Sequence, residues 1–300
     1  RLVEEEIVDA ALGNKNISYT YDGFGNRLTK TDGSGVTSYT YDSNDRLITE
    51  TGPSGTLNYT YDDNGNTLSK TDGADTTDYS YDYENRLIGA QSSASTIGYA
   101  YDLDGIRTQS IVDGAITNYV VDKNRDYAQV IEERNGSGGL IVSYVYGDDL
   151  IRQQRGSVDR LYLYDGQMST RQLIDSGENI TDEYNFDAFG IIIDKVGITA
   201  NNYLYTGEQY DPNVGFYYLR ARFYNQGIGR FITRDLLQGS AFEPLTLHRY
   251  LYTKSDPTNN WDPSGNYTLA SSLSGMAIIS TLASIRSEER RVGKECRSRW

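Results

Sequence analysis

The chain has 300 residues, of which only 37% are hydrophobic, and Tyr dominates the aromatic content with 27 copies against 7 Phe and 2 Trp. A single Cys and a single His exclude a disulfide framework and a structural zinc site built from those residues. A net charge of −14 disfavours a phosphate-binding surface, so no nucleic-acid partner is expected.

In chain order, residues 1–13 read as the start of a fragment. Arg1 is not Met, and neither a charged n-region nor an apolar h-region follows, so any targeting signal lies outside this stretch. From residue 14 to 122 the chain repeats. Tyr-x-Tyr-Asp occurs at Tyr19/Tyr21/Asp22, Tyr39/Tyr41/Asp42, Tyr59/Tyr61/Asp62, Tyr79/Tyr81/Asp82 and Tyr99/Tyr101/Asp102, with every step 20 residues. A worn sixth copy stands at Tyr119-Val120-Val121-Asp122. A second mark trails each of the first four Asp residues: Asn26-Arg27-Leu28, Asp45-Arg46-Leu47, Asn66-Thr67-Leu68 and Asn85-Arg86-Leu87.

Each unit reads as two short strands and two turns. Val36–Tyr41 is rich in β-branched and aromatic residues, and Asp42–Asp45 supplies turn chemistry. Arg46–Thr51 returns as a strand, and Asp32-Gly33, Asp72-Gly73 and Asp113-Gly114 suit type I′ hairpin turns. Period-2 geometry puts Tyr39 and Tyr41 on one face and Thr40 on the other, so stacked units predict a ladder of Tyr pairs with Tyr39 beside Tyr59. Which face turns inward is open at this point.

Residues 123–202 carry degenerate repeats, with pairs at Tyr144/Tyr146, Tyr162/Tyr164 and Tyr184/Phe186. Asn135–Gly139 reads as a flexible loop. Residues 203–265 are denser, and 266–285 begin a new region whose Leu269–Ile285 predicts an apolar helix. Residues 286–300 resemble a translated sequencing adapter and are set aside. They hold six of the 28 basic and three of the 42 acidic residues, so the remainder carries −17 and no Cys. The expected fold class is all-β, an antiparallel repetitive array.

These residues resemble the Rhs/YD-repeat proteins. Tyr203–Gly265 resembles the Rhs repeat-associated core domain through Tyr205-Thr206-Gly207-Glu208, Gly215-Phe216-Tyr217-Tyr218-Leu219-Arg220-Ala221-Arg222-Phe223-Tyr224, Gly229-Arg230-Phe231 and Asp262-Pro263-Ser264-Gly265. The resemblance implies a spiral β-sheet shell closed by the core domain, around a C-terminal effector of a secreted or surface-exposed polymorphic toxin. That effector region is the implied partner, with export machinery or a surface carbohydrate as further ones. It also implies aspartate-type self-cleavage. By position the residues are Arg234, Asp235 and Asp262, with the cut at Gly265–Asn266. Two carboxyls sharing a site separate their pKa values, so one serves as base and one as acid. The chain departs from the family pattern at Leu236 and Asn266. A purely structural reading stands beside it: Asp262-Pro263 and Asp256-Pro257 form turns, and Arg234–Asp235 is a strand-end ion pair.

Other chemistry is poorly supported. His248 lies in a strand-like run and reads as a packed or surface residue. Asp62, Asn64 and Asn66 alternate like a calcium loop without its later Gly and Glu. There is neither a phosphate loop nor a dinucleotide fingerprint, so no cofactor and no metal are expected. The competing function is a wall-associated adhesin whose Tyr rows bind sugar.

Overall fold

The computed structural model describes residues 1–8, 13–239, 242, 244–266 and 268–270. Nineteen strands form one antiparallel sheet: β1 (Glu4–Ile7), β2 (Lys15–Tyr21), β3 (Arg27–Asp32), β4 (Gly35–Tyr41), β5 (Leu47–Gly52), β6 (Gly55–Tyr61), β7 (Thr67–Asp72), β8 (Asp75–Tyr81) and β9 (Leu87–Gln91). It continues through β10 (Thr96–Tyr101), β11 (Arg107–Val112), β12 (Ala115–Asp122), β13 (Gln129–Asn135), β14 (Leu140–Tyr146), β15 (Leu150–Arg155), β16 (Val158–Tyr164), β17 (Thr170–Ile174), β18 (Ile180–Phe186) and β19 (Ile192–Val196). Registers run consecutively, each strand pairing with the next. No α-helix occurs among the described residues. The all-β expectation holds.

The Asp of each Tyr-x-Tyr-Asp unit builds the turn that follows it. Asp42 Oδ1 accepts the N–H groups of Asn44 and Arg46, and Asp82 does the same for Glu84 and Arg86. Oδ2 then holds the side chain four residues on: Asn26 at Asp22, Arg46 at Asp42, Asn66 at Asp62 and Arg86 at Asp82. The third residue after the Asp takes a left-handed φ, as Gly25, Asp45, Gly65, Asn85 and Gly105 show. Gly, Asn and Asp tolerate that conformation best, so the turn residues follow from its geometry. Asp62 accepts both the N–H and the side-chain amide of Asn66, the same turn chemistry as in the other units.

A bulge follows in every regular unit. Thr40 faces Thr49 but Tyr41 faces Leu47, so Ile48 is the extra residue. The Leu marks read as equivalent in the sequence are therefore out of phase by one. Leu47 and Leu87 sit on the ladder and are buried, 1% and 2% exposed, whereas Leu28 and Leu68 occupy the bulge and are 40% and 39% exposed. The inward ladder position in alternate units is polar: Arg27, Thr67 and Arg107.

The Tyr face is the inner one. Tyr19, Tyr39, Tyr59, Tyr79, Tyr99, Tyr144, Tyr162 and Tyr184 are all buried. The opposite face carries hydroxyl pairs such as Thr20–Thr29, Thr40–Thr49 and Thr60–Ser69. The Tyr rings are not direct neighbours as expected. Tyr39 pairs with Glu50 on β5, and Glu50 pairs in turn with Leu57, so Tyr39 and Tyr59 flank a strand and Tyr59 Oη donates to Glu50 at 3.0 Å. The second Tyr of the motif ties units together: Tyr41, Tyr81, Tyr101 and Tyr164 each donate to a carbonyl 14 residues earlier.

Two turn expectations need correction. Asn135–Gly139 is a tight hairpin in which Asn135 Oδ1 accepts from Ser137 and Gly139 N–H. At Asp32-Gly33 the Asp is the last paired residue, opposite Gly35, whereas Asp113 and Gly114 both take the positive φ of a I′ turn.

The sheet curls until the β18–β19 turn meets the inner face of β1–β3. There Phe189 lies edge-on to Tyr19 at 5.3 Å, the Ala188 N–H donates to Glu5, and Asp187 stands 3.8 Å from Lys30. Inside sits the segment from Tyr203 onward. It contains β20 (Gln209–Asp211), β21 (Phe216–Leu219), β22 (Arg222–Asn225) and β23 (Arg230–Phe231) in a four-stranded sheet, then β24 (Asn260–Trp261) paired with β25 (Leu269–Ala270). Leu269–Ala270 is thus strand rather than helix, and the rest of the helix expected to Ile285 lies outside the described residues.

Candidate functional site

The inner segment meets the ring at the Asp-turn end of many units. Thr67 donates to the Ile232 carbonyl through both its N–H (2.9 Å) and its hydroxyl (2.8 Å), and Tyr250 Oη donates to the Gly65 carbonyl at 2.9 Å. Arg107 pairs with Asp211 at 2.9 Å and donates to Gln209 at 2.7 Å, while Tyr99 Oη donates to Asp211 at 2.8 Å. Gln167 reaches the carbonyls of Pro257 and Thr258 on the other side. These buried polar groups thus find their partners across the two parts.

At the heart of this segment, Asp235 and Asp262 converge on one guanidinium, that of Arg222. Arg222 Nη2 lies 2.8 Å from Asp235 Oδ2 and 4.0 Å from Asp262 Oδ2. Its Nε donates to the carbonyl oxygen of Gly265, its Nη1 donates to the Arg249 carbonyl at 3.2 Å, and its plane covers the Phe231 ring at 3.7 Å. Asp262 is buried, and its Oδ1 accepts from Ser264 Oγ at 2.9 Å and from the Asn266 N–H at 3.2 Å. Burial pulls the Arg222 guanidinium below its ordinary value, and the charges of Asp235 and Asp262 oppose that shift.

Asp235, Asp262, Gly265 and Asn266, named from the sequence, are therefore brought together. Arg234 is not part of the group: its side chain is exposed and lies along the ring turn at Gly65. Arg222 was missed. Its only sequence signal is the alternation Arg220-Ala221-Arg222, in which neither Arg stands out. The glycine at the end of Asp-Pro-Ser-Gly has a local reason. Gly265 has φ +72°, and a Cβ there would lie 2.3 Å from the Leu219 carbonyl oxygen.

His248 is a packed residue. Its Nδ1 accepts the Tyr250 N–H and its Nε2 donates to Asn26 Oδ1 at 2.8 Å. Burial, with the nearby Arg230, pushes its pKa down to about 2, so it stays neutral. Arg220 pairs with Glu208 at 2.7 Å, and burial pushes the Glu208 carboxyl up against that pairing. The Tyr rows do not offer their faces to an outside sugar, because the plane that carries them is the buried one.

The family profile described as Teneurin YD-shell matches residues 3–258. The tRNA3(Ser)-specific nuclease WapA of Bacillus spizizenii is 32% identical over 168 residues, 54% of this chain and 7% of that protein. The tRNA nuclease WapA of Bacillus subtilis (strain 168) is 31% identical over 168 residues, again 54% and 7%. Salivary gland surface protein 1 of Aedes aegypti is 27% identical over 152 residues, 49% of this chain and 4% of that one. The chain therefore spans less than a tenth of the curated relatives it matches. Among solved structures, the crystal structure of TcdB2-TccC3 aligns at a TM-score of 0.50 and 16% identity, covering 88% of this chain and 18% of that one. At that identity the likeness shows the fold. Because the profile runs through the ring and most of the segment seated in it, the chain belongs to the Teneurin YD-shell family.

Proposed function

We propose that this YD shell is the closing part of a carrier for an effector region that follows residue 265, exported to the bacterial surface or beyond, and that its core segment cuts the chain at Gly265–Asn266. The observation that carries the reading is the placement of that peptide. It sits inside the ring, with its carbonyl on Arg222, its N–H on Asp262, and Asp235 on the same guanidinium. In the cut, water adds to the Gly265 carbonyl carbon and gives a proton to the Asp235 carboxylate. The C–N bond breaks as Asp235 passes that proton on to the Asn266 nitrogen, whose N–H Asp262 Oδ1 holds, leaving a Gly265 carboxyl, a free Asn266 amine and Asp235 ionised again.

The carrier role draws support from the inner Tyr face, which lines the ring rather than its outside, and from relatives that are named nucleases and are far longer than this stretch. The test uses the natural reading frame through and past residue 285. With the shell intact, the downstream region resists added protease and is digested once the shell is unfolded. Digestion at equal rates in both states overturns the carrier reading. No observation favours the adhesin, whose sugar-binding rows would have to lie outside.

A further inference from the structure

The geometry points to Arg222, not Arg234, as the arginine of the cutting site, acting directly on the carbonyl of the bond to be broken. This rests on the cleavage reading above and assigns within it a residue that the family resemblance does not. Two positions were open to an arginine. Arg234 adjoins Asp235 in sequence, but its exposed side chain leaves the site for the ring turn at Gly65. Arg222 comes from β22, 13 positions before Asp235, and only 7% of its side-chain surface is exposed.

One guanidinium there makes three functional contacts at once. Nε–H donates to the Gly265 carbonyl oxygen, where negative charge develops when water adds to the carbon. Nη2 holds Asp235 at 2.8 Å and so fixes the position of the carboxylate that takes the proton of water. The same Nη2 lies 4.0 Å from Asp262, the carboxyl beside the leaving nitrogen. Stacking on Phe231 at 3.7 Å and the bond to the Arg249 carbonyl fix the plane, so the donor is aimed before the reaction begins. A Lys could supply charge there but not both directed donors.

The experiment incubates the 300-residue chain at pH 5 to 8 and follows the 1–265 and 266–300 products by intact mass. Wild type cuts after Gly265. Arg222→Lys keeps the buried charge and is expected to fold, yet to cut about 100-fold more slowly, the loss typical of removing one oxyanion donor. Arg222→Ala is slower still and regains part of its rate in millimolar guanidinium, which a purely structural defect would not. Arg234→Ala cuts within about twofold of wild type, an exposed substitution away from the chemistry. Full-rate cutting by a folded Arg222→Lys, or loss of cutting in Arg234→Ala with Arg222→Lys active, overturns the assignment and leaves self-cleavage standing. A folded wild type that keeps its full mass overturns the cleavage reading itself, and this assignment with it.

Discussion

Asp187 is the clearest single residue at which environment sets behaviour. It closes the β18–β19 turn by accepting the N–H groups of Phe189 and Ile191 at 3.0 and 2.8 Å, inside the seam where the sheet meets its own beginning. Burial raises its pKa from 3.8 to about 6, with Lys30 pulling it down and Glu5 pushing it up. The folded pKa lies above the unfolded one, so folding favours the protonated form. Stability from this group is full below pH ~4 and is lost as pH rises through about 6, by at most about 3 kcal/mol. Asp187→Asn keeps the Oδ1 acceptor and removes the charge. Its thermal midpoint is therefore expected to exceed that of wild type at pH 7.5 and to match it near pH 4. A gap that stays constant across that range would show that Asp187 does not titrate within the seam.

Between residues and the ring lies the 20-residue unit, and here the bulge decides which side chains matter. Leu47 and Leu28 look alike in the sequence, each following an Arg after a turn, yet only Leu47 is on the ladder. Leu47→Ala is expected to cost about 2–5 kcal/mol, as for a buried Leu, against about 0.5 kcal/mol or less for Leu28→Ala. Urea unfolding of the two variants checks this, and equal costs would place both leucines in one environment. The strand-turn-strand unit, its period and the shared Tyr face were legible because Tyr-x-Tyr-Asp and its 20-residue step are local signals. The phase of the Leu marks was not, since a bulge is a backbone register shift that leaves composition unchanged. The same limit hid Arg222: Asp235 and Asp262 could be named by motif, but their cation arrives from another strand through the pairing of β21 with β22. The interleaving of Glu50 between Tyr39 and Tyr59 was likewise invisible until the hairpin was counted as two strands.

At the level of the whole molecule, ring and inner segment are one folding unit, because each supplies what the other lacks. The inward ladder positions alternate between aliphatic Leu47 and Leu87 and polar Arg27, Thr67 and Arg107. An inward-facing Arg in a sheet with an apolar inner face is costly unless something meets it. Arg107 is met by Asp211 and Gln209, with Tyr218 beneath its guanidinium at 4.3 Å. The ring therefore needs the segment to satisfy its buried charge, and the segment needs the ring to cover Phe216, Tyr218 and Phe223, which pack against Tyr79 and Tyr99. Arg107→Ala leaves the Asp211 carboxylate buried without its ion pair and is expected to cost about 3–5 kcal/mol. Asp211→Asn lifts that penalty, so the double variant should be more stable than the sum of the two single losses implies, with a coupling of about 1–3 kcal/mol. Denaturant midpoints of the four proteins in the cycle measure it. A single transition, seen alike by far-ultraviolet dichroism and by Trp261 fluorescence in a Trp300→Phe background, is the companion result, since the first probe is dominated by the ring and the second reports the segment. Additive losses, or two separated transitions, would mean that the core segment is a detachable stopper rather than part of the shell's own core.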